Sequence, residues 1–120
     1  MYLITGGGGF LGRSLALRLA AGGGERVRIF DVRENEPVSD GVEYFRGDVT
    51  RIDDVEAAFQ GVTAVFNLVA LLPCSRAGKE FYRVNVDGTK NILKTCAKAG
   101  IGTVVHISSS VVYGCRQKFR

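Results

Sequence analysis

The chain has few of the residues from which disulfide frameworks, metal sites and collagen-like repeats are built. Its 120 residues include three cysteines, one histidine and no tryptophan. Cys74, Cys96 and Cys115 are far apart and show neither zinc-binding nor redox spacing. The sixteen glycines cluster without a three-residue period, which excludes collagen. We therefore expect no metal centre, no disulfide scaffold and a reducing, cytoplasmic location.

A long apolar run and a concentrated basic surface are also missing. The longest apolar stretch, residues 62–72, is too short to cross a bilayer. We expect no signal segment before the first strand-like run, which starts at Tyr2. The sequence has 16 basic and 12 acidic side chains. Three of the basic ones lie in the last five residues: Arg116, Lys118 and Arg120. The positive charge thus belongs to a tail, and we expect neither a nucleic-acid nor a membrane partner.

Short β-prone apolar runs alternate with helical patterns along the chain, which is typical of a parallel sheet covered by helices. The predicted strands are Tyr2–Thr5, Arg26–Asp31, Val42–Arg46, Ala64–Leu68 and Thr103–Ser108. The predicted helices are Phe10–Ala21, Ile52–Gln60 with Thr50 as N-cap, and Lys79–Ala99. This alternation predicts an α/β fold: a doubly wound, Rossmann-like parallel sheet of strand order 3-2-1-4-5, truncated after strand five.

A glycine-rich loop connects the first predicted strand to the first predicted helix. Gly6, Gly9 and Gly12 have the spacing G-x-x-G-x-x-G. Small residues there allow a sharp turn, a close approach of the backbone to a pyrophosphate and tight packing of the helix on its strand. The N–H groups at the start of that helix, around Phe10 and Leu11, complete the predicted phosphate site.

Asp31 separates this interpretation from a P-loop. The segment Gly7-x-x-x-x-Gly12-Arg13-Ser14 lacks the P-loop lysine, whereas Asp31 lies 19 residues beyond Gly12 at the end of the second strand. A carboxylate at that place accepts the adenosine ribose hydroxyls and repels a 2′-phosphate, which predicts NAD rather than NADP. Arg28 and Arg33 lie nearby: either they soften this repulsion of a 2′-phosphate, or they are solvated strand-end charges. A purely structural glycine loop is the remaining alternative.

Six motifs occur in the order found in one known superfamily. They are TGGGGFLG at 5–12, Asp31, GDVT at 47–50, NLVA at 67–70, NVDGTKNIL at 85–93 and HISSSVVYG at 106–114. With them the sequence resembles the extended short-chain dehydrogenase/reductase superfamily, which contains NAD-dependent epimerases and dehydratases and 3β-hydroxysteroid-dehydrogenase-like proteins. The resemblance implies an incomplete NAD-binding domain at 1–114, followed by a basic tail at 115–120.

The resemblance also implies cofactor contacts beyond the glycine loop. Asp48 and Val49 match the pair that holds the adenine, through a side-chain acceptor and a backbone N–H. For Asp48 alone, a helix-capping acid is an equally good interpretation. Leu68, Val69 and Ala70 match the segment that lies under the cofactor after strand four. The family commonly has histidine where Asn67 stands.

Two residues match the catalytic positions of the superfamily. Asn85 corresponds to the asparagine that orders the active site. Ser109 corresponds to the residue that hydrogen-bonds the reacting oxygen, in the register set by Val-Tyr-Gly at 112–114, although Ser108 and Ser110 leave that register open by one. His106, inside an apolar strand, is interpreted as a structural histidine.

The general base of the superfamily has no match in this sequence. The resemblance implies a tyrosine that takes the hydroxyl proton and a lysine four residues later that lowers the tyrosine pKa. The residues four positions after Tyr2, Tyr44, Tyr82 and Tyr113 are Gly6, Asp48, Val86 and Gln117. We therefore expect these 120 residues alone to be inactive or nearly so.

The resemblance implies the cofactor-binding part of an NAD-dependent epimerase/dehydratase-type oxidoreductase acting on a nucleotide sugar. A 3β-hydroxysteroid or sterol dehydrogenase-like enzyme and a non-catalytic NAD-binding module are the alternatives. Residues 71–76 are expected to line the substrate site. In a full-length protein, the predicted helix that carries Asn85, Lys79–Ala99, which is the fourth helix of the superfamily, is expected to form a homodimer interface.

Overall fold

A computed structural model describes residues 1–33, 39–72 and 78–114. The strands are β1 (Tyr2–Thr5), β2 (Val27–Asp31), β3 (Val42–Arg46), β4 (Ala64–Asn67) and β5 (Val104–His106). The helices are α1 (Phe10–Ala21), α2 (Ile52–Ala58), α3 (Lys79–Tyr82) and α4 (Thr89–Ala99). A π-helical turn, Arg83–Gly88, joins α3 to α4, and a short 3-10 helix spans Ser110–Tyr113.

All five strands are parallel and lie in the order β3-β2-β1-β4-β5, which confirms the predicted topology. The carboxyl ends of the parallel strands meet at one edge of the sheet. The strand order changes direction between β1 and β4, since β2 and β3 lie on one side of β1 and β4 and β5 lie on the other. Ligands of such sheets bind at that switch point.

The core has two layers because successive strand residues face opposite sides of the sheet. In β1, Leu3 packs with Val55 of α2 and Ile92 of α4, while Ile4 packs on the other side with Ala16 of α1. All five side chains are fully buried. Helices therefore cover both faces of the sheet, as the near-continuous apolar strands predicted.

Two local predictions were wrong, those for Thr50 and Arg28. Thr50 does not cap α2, because Arg51 precedes that helix without a side-chain cap. The third predicted helix, Lys79–Ala99, is helical over its whole predicted length, and it contains the π-helical turn. Arg28 is not a solvated charge: its guanidinium binds Glu43 at 2.5 Å and the carbonyl oxygens of Ala58 and Gln60. Arg28 thus fastens the end of α2 to β2 and β3.

No helix within residues 1–33, 39–72 and 78–114 is long and apolar enough to cross a membrane. The predicted basic tail, 115–120, lies outside the described residues.

Candidate functional site

The glycine loop folds against the end of β4 and under the start of α1. Gly6 has φ +67°, and a Cβ added to it would lie 2.8 Å from the backbone N and Cα of Val69. A Cβ on Gly12 would lie 2.4 Å from the Cα of Gly7. Side chains at either position would push the loop away from the strand or the helix away from the loop. The loop backbone therefore lies directly on the sheet edge.

The start of α1 offers unpaired backbone donors. Gly9 precedes the helix and supplies no side-chain cap. Within the described part of the chain, the N–H groups of Phe10, Leu11 and Gly12 have no hydrogen-bond partner. The Phe10 side chain is 92% exposed and that of Leu11 is also exposed. Both side chains are apolar and cannot bind an anion. The backbone N–H groups are therefore the groups that this helix start offers to an anion.

Asp31 lies at the end of β2 and faces the glycine loop. Its Oδ2 accepts a hydrogen bond from the Gly8 N–H at 3.0 Å, and its Oδ1 accepts one from the Arg33 N–H at 3.1 Å. These bonds hold the carboxylate in one orientation. Because each carboxylate oxygen accepts two hydrogen bonds, both oxygens retain capacity for a ligand hydroxyl.

A cleft of about 280 Å³ opens along this edge of the sheet. Its lining consists of the glycine loop, the end of β2 and the segments that follow β3 and β4. The lining residues are Gly6, Gly9, Phe30, Asp31, Val32, Arg33, Gly47, Asp48, Val49, Leu68, Val69, Ala70, Leu71 and Val84. Eight predicted cofactor residues are among them: Gly6, Gly9, Asp31, Asp48, Val49, Leu68, Val69 and Ala70.

The segment after β3 presents one acceptor and one donor to the cleft. Asp48 Oδ1 accepts from the Thr50 N–H at 2.8 Å, and Oδ2 has no partner among the described residues. The backbone N–H of Val49, a residue only 5% exposed, is also unpaired within the described part of the chain. The alternative in which Asp48 caps α2 is not observed: Asp54 of that helix instead accepts from the Asp48 N–H at 3.0 Å.

Asn85 holds the segment after β4. Its Nδ2 donates to the Leu71 carbonyl at 3.0 Å, and its Oδ1 accepts from the Leu71 N–H at 2.7 Å. Asn85 lies in the π-helical turn, and such turns are frequent at functional sites because they alter which side chains a helix presents. Asn85 does not line the cleft itself. It acts on the cleft through Leu71, which does.

Asn67 at the end of β4 connects three strands below the cleft. Its Oδ1 accepts from the Thr5 hydroxyl at 2.6 Å, and its Nδ2 lies 3.0 Å from His106 Nδ1. Thr5 and Asn67 are buried. The structural interpretation of His106 agrees with this contact. The sequence signal for this network was Asn67 itself, the polar first residue of NLVA, which ends a buried strand.

Ser109 lies apart from the residues above. Its hydroxyl accepts from the Val111 N–H at 3.3 Å and caps the 3-10 helix. Ser109 is exposed and does not line the cleft. The structure thus brings eight of the eleven predicted cofactor residues into the cleft lining, whereas Phe10, Leu11 and Gly12 at the start of α1 are not among the lining residues. Ser109 lies at the margin.

Several lining residues were not predicted. A Cβ on Gly47 would lie 2.3 Å from Cε2 of the buried Phe30, so Gly47 allows its segment to pack directly on that ring. The glycine of GDVT was the available signal.

Of the predicted substrate segment 71–76, Leu71 lines the cleft, whereas 73–76 lie outside the described residues.

No cluster of metal-ligating side chains is found among the described residues. Cys96 of α4 lies outside the cleft. Burial raises the pKa of this thiol, partly offset by a backbone hydrogen bond.

A glycine loop, an uncapped helix start and a strand-end carboxylate around one cleft define a Rossmann-type nucleotide-binding domain. The chain belongs to the 3-beta hydroxysteroid dehydrogenase/isomerase family, whose family model matches residues 3–119. The predicted membership of the extended short-chain dehydrogenase/reductase superfamily is thereby confirmed.

Individual relatives cover nearly all of the chain. It is 37% identical over 109 residues to the bovine (Bos taurus) sterol-4-alpha-carboxylate 3-dehydrogenase, decarboxylating, which covers 91% of this chain. A short-chain dehydrogenase/reductase superfamily protein from Agrobacterium tumefaciens, solved with bound NAD, superposes with a TM-score of 0.83 at 34% identity over 95% of this chain. MoeE5, solved in complex with UDP-glucuronic acid and NAD, has a TM-score of 0.82 at 31% identity over 94%.

The chain spans only part of these relatives. The matched region is 30% of the bovine dehydrogenase, 34% of the Agrobacterium protein and 38% of MoeE5.

Proposed function

We propose that the cleft binds NAD and that the chain is the cofactor-binding part of an NAD-dependent epimerase/dehydratase-type oxidoreductase. The observation that carries the proposal is that Asp31 and the glycine loop line one cleft and are joined by the Gly8–Asp31 hydrogen bond. The relatives solved with NAD support the same choice of cofactor.

The residues present fit this cofactor. Gly6 leaves a cradle that a Cβ would fill, and the unpaired N–H groups of Phe10, Leu11 and Gly12 would bind the pyrophosphate. Asp31 would accept the ribose hydroxyls. Asp48 Oδ2 and the Val49 N–H would pair with the amino group and ring nitrogen of the adenine.

Asp31 also supports NAD over NADP. Its carboxylate is held at the cleft by two backbone N–H groups, so it would not swing away from a 2′-phosphate. Arg33 lines the cleft beside it. We propose that the repulsion from Asp31 outweighs the attraction of the exposed Arg33, whose charge is screened by solvent.

NAD, held by the glycine loop, Asp31 and the segments after β3 and β4, would supply a hydride acceptor for the oxidation of a carbinol substrate. Asn85 would hold Leu71 at the cleft through its two hydrogen bonds, and Ser109 would donate to the reacting oxygen. Since no Tyr-x-x-x-Lys is present in the sequence, nothing in these residues takes the hydroxyl proton. We therefore expect NAD binding without measurable turnover from the 120 residues.

Nucleotide sugars are the proposed substrate class, supported by the structural likeness to MoeE5, which was solved with UDP-glucuronic acid. A sterol or 3β-hydroxysteroid is the second candidate. The family match and the bovine sterol dehydrogenase favour it.

Calorimetric titration with NAD and NADP tests the proposal. We expect NAD to bind and NADP to bind at least tenfold more weakly, a difference of about 1.4 kcal/mol. Ligand-observed NMR with UDP-glucuronic acid and a 3β-hydroxysteroid, each with NADH present, separates the two substrate classes. Absence of NAD binding would refute the proposal, and steady NADH production would refute the expected inactivity.

Three further expectations belong to this proposal. They are an NAD-binding domain over residues 1–114, a cytoplasmic location and, in a longer protein, a homodimer through α4. Leu93 of α4 is 49% exposed and supports such an interface. Sedimentation of the longer protein, with and without a charged substitution at Leu93, tests it.

A further inference from the structure

Asn91 of α4 reaches the segment after β3, although the two are far apart in sequence. Its Nδ2 donates to the Val49 carbonyl at 3.0 Å. Asn91 does not line the cleft, whereas Val49 does. Asn91 therefore acts on the cleft only through the backbone of its neighbour.

The two peptide groups around Val49 are held so that one N–H remains for a ligand. The Val49–Thr50 peptide is bound at both ends, its C=O by Asn91 and its N–H by Asp48 Oδ1 at 2.8 Å. The Asp48 carbonyl accepts from the Arg51 N–H at 2.9 Å. In a trans peptide the N–H points opposite to the C=O, so the Val49 N–H points away from the start of α2.

Gly88 contacts the same residue from one turn earlier in the helical segment. A Cβ on Gly88 would lie 2.6 Å from Val49 Cγ2. The helix thus touches the Val49 side chain at Gly88 and binds its carbonyl at Asn91. The π-helical turn and α4 therefore contact Val49 at two places, its side chain and its carbonyl.

We infer that Asn91 is a positioning residue that sets the selectivity of the site for adenine. Asn91 fixes the Val49–Thr50 peptide, and the bond from the Arg51 N–H to the Asp48 carbonyl fixes the peptide before it. Held on both sides in this way, the Val49 N–H is directed at the ring nitrogen of the base, beside Asp48 Oδ2. This inference rests on the proposed NAD-binding function. It differs from a purely structural role, in which Asn91 only ties α4 to the sheet edge.

Nicotinamide hypoxanthine dinucleotide distinguishes the two roles. Its base carries a carbonyl where adenine has the amino group and an N–H where adenine has a ring acceptor. Both groups then oppose Asp48 Oδ2 and the Val49 N–H. We expect the wild-type chain to prefer NAD over this analogue by roughly tenfold, as for one or two hydrogen bonds.

The test compares Asn91→Leu, which keeps the side-chain shape but removes the donor, with the wild type by calorimetry. We expect the preference for NAD to fall to about threefold or less, mainly through weaker NAD binding. The matched control is Lys94→Ala, an exposed residue of the same helix, which should keep the full preference. Equal weakening of both ligands by Asn91→Leu would overturn the inference in favour of a structural role.

An experiment without variants covers the case in which Asn91→Leu does not fold. In the wild-type chain, the side-chain NH₂ resonances of Asn91 and the Val49 amide should shift on addition of AMP but not of ribose 5-phosphate. Unmoved resonances at saturating AMP would overturn the inference. A wild-type chain that binds neither NAD nor AMP would instead overturn the proposed function.

Discussion

The carboxylate of Asp31 accepts a hydrogen bond from the Gly8 N–H at 3.0 Å, which joins the end of β2 to the middle of the glycine loop. The two residues are separated by 23 positions in the chain. One side chain therefore both shapes the loop and faces the proposed ribose position. The glycine loop is therefore already positioned by Asp31 before a ligand binds to that carboxylate.

Replacing Asp31 tests this double role. Asp31→Ala removes both the loop contact and the ribose acceptor, and we expect NAD affinity to fall by about tenfold or more. Asp31→Asn keeps one acceptor but loses the charge, so it should raise the affinity for NADP relative to NAD. Calorimetry measures both. Asp40→Ala, which removes an exposed acid elsewhere, is the matched control, and an effect of equal size there would contradict the assignment.

A comparison of Gly6 with Gly23 distinguishes the effect of backbone conformation on stability from the effect of close packing. Their φ values are +67° and +69°, but an added Cβ meets the Val69 backbone at 2.8 Å only in Gly6, with nothing within 4 Å of Gly23. We expect Gly23→Ala to lower the free energy of unfolding by about 1 kcal/mol. Gly6→Ala should lower it by about 3 kcal/mol, because the clash is added. Urea unfolding measures both, and equal losses would show that packing at Gly6 contributes nothing.

Asn85 is expected to contribute through its two bonds to Leu71. Asn85→Ala leaves the Leu71 N–H and C=O without this partner, and should lower the free energy of unfolding by about 2 kcal/mol and weaken NAD binding. Asn85→Asp still accepts from the Leu71 N–H but cannot donate to the Leu71 carbonyl, so its stability should lie between those of the wild type and Asn85→Ala. Asp87→Asn, at an exposed ion pair in the same helical turn, should change stability by less than about 0.5 kcal/mol. Thermal unfolding with and without NAD measures the series; an unchanged Asn85→Ala protein would refute the role.

Because Cys96 is buried, we expect the free energy of unfolding to decrease at alkaline pH. Burial raises the pKa of its thiol in the folded chain, so the unfolded chain loses the thiol proton first as the pH rises. The stabilisation is therefore fully present below the pKa of the unfolded thiol and is lost as the pH rises through that of the folded one. Comparing wild type with Cys96→Ala from about pH 8 to about pH 10 isolates this contribution. The stability difference between the two should shrink over that range, and a constant difference would contradict the prediction.

The topology and the glycine loop were predictable because their signals are local. Alternating apolar runs define the strands, and the crossover rule then leaves few possible sheets. The spacing from Gly12 to Asp31 places the carboxylate at the end of a neighbouring strand. The π-helical turn was not predictable, since residues 83–88 carry the same composition as an ordinary helix.

The roles of the three buried or half-buried asparagines depended on contacts between distant segments. Asn67 meets Thr5 across 62 positions, Asn85 meets Leu71 across 14, and Asn91 meets Val49 across 42. The position of an asparagine in a helix or strand does not indicate which distant residue its side chain will bind. Glycine spacing and strand alternation follow from backbone geometry along the chain, whereas each asparagine acquires its partner only when helix, loop and sheet edge pack together.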